Sequence, residues 1–127
     1  MMIEYDGGMK FVARHRGLEL VSDQPEDGGG ENTALNPAEI FVASLGMCIG
    51  VYVVGFAKRH DIPVAGLTIE VEYQYAEDPR RISAISVRAK MPEPVAGRPL
   101  AALQRVAEHC LVHRTLLAVP KITIEVG

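Results

Sequence analysis

The sequence predicts an α+β domain in which antiparallel strands pack around a long, buried central helix and a second, cysteine-bearing helix. Three observations carry that prediction. The stretch from Ile40 to Ala57 has no charged residue and is apolar in every direction around a helical axis, so no solvent-facing stripe can be drawn on it. The segments Leu67 to Tyr75 and Ile85 to Met91 alternate apolar with polar residues, the pattern of half-buried strands. The positions Leu100, Leu103, Val106, Ala107, Cys110 and Leu111 repeat with helical spacing and put Cys110 on the buried stripe of a second helix. The resulting order, β-β-β, helix, β-β, helix, β, is that of antiparallel sheet packed on helices.

Bulk properties agree. At 127 residues, 1–127 is expected to be a single domain, small enough that pairing with a partner would help stabilise it. A net charge of -3 predicts no preference for nucleic acid or for an anionic membrane. The opening MMIEYDGGMK is polar and lacks a signal pattern. Two cysteines suit a reducing compartment better than a disulfide framework, so a cytoplasmic location is expected.

In chain order, Met1 to Tyr5, Met9 to Gly17 and Leu18 to Asp23 read as strands of an antiparallel meander, with Asp6-Gly7-Gly8 and Gly17 as turns. Arg14, His15 and Arg16 fall near a hairpin tip, where solvated edge charge is their plainest role. Gln24 to Leu35 is a loop. Its Gly28-Gly29-Gly30 run is no phosphate cradle, because no strand leads into it and no helix follows at the required spacing.

The central helix has a clear start. Asn36 can accept free N–H groups of the first turn, Pro37 suits the first helical position, and Glu39 falls where a capping box places its acid. The apolar length and the Gly46/Gly50 GxxxG would also suit a membrane span. The half-polar strands on either side favour a buried soluble helix instead, in which Ala43, Ser44, Gly46 and Gly50 let neighbouring elements approach closely. Lys58, Arg59 and His60 form a charge cluster suited to the helix C-terminus, and Asp61-Ile62-Pro63 stops it. Beyond the two alternating strands, Pro92 and Pro94 end the sheet and Gly97-Arg98-Pro99 introduces the second helix. Val112 to Val119 suits a further helical piece before Pro120, and Ile122, Ile124 and Val126 alternate as a last strand.

Few residues carry chemistry. No Ser/His/Asp signature, Walker loop, dinucleotide fingerprint or HExxH occurs, and Cys48, Cys110 and His113 do not have zinc-ligand spacing. No metal or cofactor is expected. What remains is the thiol pair. Each cysteine sits in an apolar helix, where a free cysteine commonly serves as a small core hydrophobe.

The run NPAEIFVASLGMC, preceded by SDQPEDGGGENTAL and followed far downstream by AEHCLVHRTL, resembles the OsmC/Ohr family. The DQP segment and the Gly-rich loop ahead of the helix resemble the broader OsmC-like branch more than the organic hydroperoxide resistance branch. The resemblance implies a thiol peroxidase built as an intertwined homodimer, with a small-molecule hydroperoxide as substrate and an external dithiol as reductant. It assigns Cys48 as the peroxidatic thiol and Cys110 as the resolving one. An apolar surround would favour organic or lipid hydroperoxides, but would also raise the thiol pKa unless a cation opposes it. The family draws that cation from its N-terminal strands, which makes Arg14 or Arg16 the candidate, and holds it with a glutamate at the start of the central helix. Here the sequence departs from the pattern, because the position directly after the proline is Ala38 and the acid is Glu39.

Geometry sharpens that departure. The nine positions from Glu39 to Cys48, at about 100° per residue, place the two on opposite faces of one helix. Glu39 is thus explained better as a capping residue than as a catalytic acid. Tyr52, one turn after Cys48, is placed to line its pocket. His113 and Arg114 fall within one turn of Cys110 if the helix continues, and could favour its thiolate, although a helix C-terminus acts the other way. His109 and His113 could equally be helix-end residues offsetting the dipole. A second function stands beside the peroxidase: a non-enzymatic thiol or small-ligand-binding protein whose peroxidase activity is vestigial because the activating acid is missing.

Overall fold

The computed structural model describes all 127 residues. In order they form β1 (Met2–Tyr5), β2 (Phe11–His15), β3 (Leu18–Ser22), α1 (Pro37–Arg59), β4 (Thr68–Ala76), β5 (Arg81–Lys90), α2 (Gly97–Glu108) and α3 (Leu111–Leu117). Contacts divide the chain into two compact units, Met1–Ala43 and Ser44–Gly127, with α1 running through the division.

In the first unit β1, β2 and β3 make an antiparallel meander, as expected. Arg16 and Gly17 form the two-residue turn between β2 and β3 at φ of 53° and 76°. Two positive φ values give a turn whose twist matches that of the strands it joins. The following loop is organised by Asp23, whose side chain is fully buried. Its Oδ2 accepts hydrogen bonds from the Thr33 hydroxyl at 2.7 Å, the Thr33 N–H at 3.1 Å and the Glu31 N–H at 3.2 Å, and its Oδ1 accepts from the Gln24 N–H at 2.8 Å. The chain closes so tightly here that a Cβ on Gly30 would lie 2.0 Å from the Gln24 carbonyl oxygen, which requires glycine.

The capping box at the start of α1 forms as the sequence predicts. The Glu39 N–H donates to Asn36 Oδ1 at 2.9 Å, and the Asn36 N–H donates to Glu39 Oε2 at 2.8 Å.

In the second unit β4 and β5 pair antiparallel from Thr68↔Lys90 to Ala76↔Arg81. The core gathers Val53 and Ala57 of α1 with Leu103 of α2, closed by Ile49, Phe56, Leu67, Ala89 and Met91. The small residues of α1 have the expected purpose. A Cβ on Gly46 would come within 2.7 Å of Val71 Cγ2, and one on Gly50 within 3.5 Å of Ile69, so GxxxG here is a seat for the β4 side chains.

Three expectations are corrected. The central helix is not enclosed on every side: Met47 and Val51 remain 68% and 69% exposed, and only 28% of its most apolar 18-residue window is buried, although by length and composition the helix could cross a membrane. One copy of the chain has too few elements to wrap an all-apolar helix. Cys110 does not lie on α2, which ends at Glu108; it is the N-cap of α3. The last strand is not formed. Ile122, Ile124 and Val126 are exposed in a segment without regular structure, because alternation makes a strand only where a neighbouring edge accepts its backbone hydrogen bonds.

Candidate active site: a thiol pair between two helices

Cys48 reaches the site from the middle of α1 and is half-buried, whereas Cys110, at the α2–α3 junction, is fully buried. Both are free thiols, and Cys48 is near enough to Cys110 to help raise its pKa. The break at His109 creates this placement. Had α2 run on, Cys110 would lie in a helical turn with its sulfur near helix-end carbonyls; as a cap it has extended backbone, and its Sγ accepts the His113 N–H at 3.3 Å.

The electrostatics of Cys110 follow from this position. Burial pushes its pKa above the ordinary 9.0, and the adjacent Cys48 adds to the rise. The backbone N–H groups of His113 and Val112 oppose it without reversing it. Cys110 is therefore held as a neutral thiol.

The two histidines act on the backbone. Carbonyl oxygens accept only, so His109 Nδ1–H donates to the Arg105 carbonyl at 2.6 Å and His113 Nδ1–H to the Glu108 carbonyl at 2.7 Å. They complete the end of α2, which is one of the roles the sequence left open for them.

His113, whose N–H meets the Cys110 sulfur, also lines an open cleft of about 350 Å³ between α1, β5 and α2. Leu45, Ile49 and Val53 supply one wall, Val87 and Leu103 others, and Arg88, Gln104 and Glu108 stand with His113 as its polar lining. The sequence singled out His113 but not Arg88, Gln104 or Glu108. Their only signal was position, on the polar border of an amphipathic helix and on the outward-facing alternation of β5. Tyr52 lies one turn beyond Cys48 and is not among the residues lining this cavity.

Arg14, Arg16 and Glu39 belong to the unit Met1–Ala43. Arg14 pairs with Glu4 and, at 2.7 Å, with Glu19; the Glu19 carboxylate is the main cause of its raised pKa. Arg16 occupies the turn and makes no ion pair. Glu39 is committed to the capping box through Oε2.

A meander, a long apolar helix bearing one thiol, a hairpin seated on its glycines and a second thiol at a helix junction define an α+β protein with two free thiols. The OsmC-like protein family profile matches residues 29–125, and the chain belongs to that family. Solved structures share the fold. A Psychrobacter arcticus protein assigned by name to osmotic stress induction and detoxification response is 26% identical, with a TM-score of 0.84 over 90% of this chain and 85% of the other. An OsmC-like protein from Mycoplasma pneumoniae is 16% identical, with a TM-score of 0.72 over 87% and 80% of the two chains. An organic hydroperoxide resistance protein OsmC from Legionella pneumophila is 20% identical, with a TM-score of 0.67 over 91% and 87%. No curated protein sequence matches the chain significantly.

Proposed function

We propose that this protein is a cytoplasmic, homodimeric thiol peroxidase that reduces organic hydroperoxides through Cys48 and Cys110 as part of oxidative-stress defence. The carrying observation is the adjacency of two free thiols contributed by different elements, one of them half-buried and the other enclosed. The name of the Legionella neighbour points to the same chemistry.

In this reading the more accessible Cys48, as thiolate, attacks the distal oxygen of ROOH. The O–O bond breaks, RO⁻ leaves and takes a proton to become ROH, and Cys48 becomes a sulfenic acid. The Cys110 thiol then condenses with it, forming the S–S bond and releasing water. A dithiol of external origin returns the pair to two thiols and is itself oxidised to a disulfide. Held neutral, Cys110 does not compete with Cys48 for the peroxide, and it gives up its proton only as its sulfur attacks the sulfenic sulfur, the proton leaving with the hydroxyl as water. The apolar cavity behind His113 suits the organic part of ROOH and disfavours hydrogen peroxide, which has none. Of the two arginines offered as activating cation, Arg16 is the one whose charge is not already shared with glutamates. The reading of 1–127 as a single domain is supported by α1, one unbroken helix from Pro37 to Arg59.

One observation favours the second reading, a thiol or small-ligand-binding protein with vestigial activity: Glu39 is held by its cap and opposes no arginine. The test is a count of free thiols after mixing reduced protein with cumene hydroperoxide or hydrogen peroxide. The peroxidase reading expects rapid loss with cumene hydroperoxide, abolished in Cys48→Ser, and a trapped sulfenic acid in Cys110→Ser. Slow loss, or loss indifferent to Cys48→Ser, rejects it.

A further inference from the structure

We propose a second binding site, separate from the thiol pair, between the C-terminal end of α1 and the first turns of α2, that takes a small organic anion with a flat apolar body and a carboxylate group. A cleft of about 400 Å³ opens there, with Phe56, Ile62, Pro99 and Ala102 as its apolar part and His60, Arg98 and Arg105 as its polar part. It shares no residue with the cavity beside the cysteines. His60, the residue that follows α1, lies twelve positions after Cys48, about 18 Å along the helix direction.

The charge is one-signed. Arg98 and Arg105 are seven positions apart, two turns along one face of α2, with the small Ala102 between them leaving the space open. No carboxylate lines the cleft, and neither arginine takes part in an ion pair, in a chain whose acids outnumber its Lys and Arg by 16 to 13. Arg98 stands in the first turn of α2, where the helix dipole disfavours a cation. Arg105, in the last turn of α2, is favoured there by the helix dipole, but Arg98 is not, and the planar fork of each arginine matches a carboxylate in bidentate geometry.

The apolar side selects the rest of the ligand. The His60 ring stacks on Phe56 with centroids 4.2 Å apart and planes 29° from parallel, which makes a flat aromatic wall beside Pro99 and Ile62. Such a wall accepts a planar ring by offset stacking. Inorganic phosphate would meet the charge and leave this surface wet; a neutral aromatic would cover it and leave the arginines unpaired.

The experiment is a titration of the full-length protein with sodium 2-naphthoate, followed by backbone amide NMR shifts. The expected shifts fall in residues 56–62 and 97–105. The double variant Arg98→Ala/Arg105→Ala is expected to weaken binding by about tenfold or more with an unchanged melting temperature, because charge-assisted hydrogen bonds are lost from exposed side chains. Phe56→Leu keeps both arginines and is expected to weaken naphthoate while leaving the response to inorganic phosphate unaltered. The proposal is overturned if 2-naphthylmethanol binds as tightly as naphthoate, if phosphate does, if the shifts lie elsewhere, or if the double arginine variant binds naphthoate like the parent.

Discussion

Burial separates two residues that the sequence presents as equivalents. Cys110 is enclosed and raised above its ordinary pKa, while Cys48 keeps access to solvent. Iodoacetamide labelling followed by peptide mass analysis at neutral pH is therefore expected to modify Cys48 first, with Cys110 reacting only after unfolding or at strongly alkaline pH. The same shift has a consequence for stability. Because the folded protein retains the Cys110 proton longer than the unfolded chain, stability is unaffected below pH 9.0 and falls as pH rises past it. In Cys110→Ala that part of the alkaline decline disappears from a denaturant titration repeated across pH. Asp23 has the opposite sign. Hydrogen bonds, the Thr33 hydroxyl foremost, hold its carboxyl down at about 2 against an ordinary 3.8. Its contribution is complete above pH 3.8 and is lost as pH falls toward 2. Asp23→Asn is expected to flatten the acid limb of stability in that window, and to lower stability at neutral pH because an amide NH₂ then faces backbone donors.

At the scale of elements, the packing of the hairpin on α1 rests on Gly46. Alanine there meets Val71 Cγ2 at 2.7 Å, and a β-branched side chain in a strand has little freedom to move aside. Gly46→Ala is expected to destabilise by about 1–2 kcal/mol in urea unfolding, despite its better helix propensity. The start of α1 allows capping to be told apart from catalysis. Asn36→Ala removes the oxygen that receives the Glu39 N–H and is expected to cost about 1 kcal/mol. Glu39→Gln keeps a capping side chain, so an unchanged thiol-oxidation rate with cumene hydroperoxide marks Glu39 as structural, and a large fall marks it as catalytic. The capping box was legible because it depends on residues three apart. The break between α2 and α3 was not, because the apolar repeat continues through Cys110 and Leu111 and conceals it. Two histidine rings return to carbonyls at the end of α2, four and five positions back.

At the scale of the whole molecule, the apolar surface left uncovered is the main feature. Met47 and Val51 on α1, Leu18, Leu20 and Val21 on the meander, and Ile122, Ile124 and Val126 in the last segment are all exposed in a single chain. Isolated apolar residues on a surface are ordinary, whereas an exposed stripe on the most apolar helix of a protein is the surface that a second copy would cover in the proposed homodimer. Sedimentation of the parent protein is expected to give twice the chain mass, and Met47→Glu/Val51→Glu to shift it toward the monomer, since a carboxylate cannot be buried unpaired.

The sequence by itself determined what depends on near neighbours: the meander, the capped apolar helix, the two alternating strands, the family resemblance and the two cysteines as the residues worth attention. Only the tertiary structure decided how those cysteines differ in burial, that Arg14 is engaged by two glutamates, and that Arg98 and Arg105 line one cleft with Phe56 and His60. The physical reason is the range of the forces involved. Helix caps and strand alternation are set by hydrogen bonds and side-chain directions within a few residues. Desolvation, ion pairing and cavity shape depend on which distant parts of the chain exclude water together, and that is fixed when the elements pack.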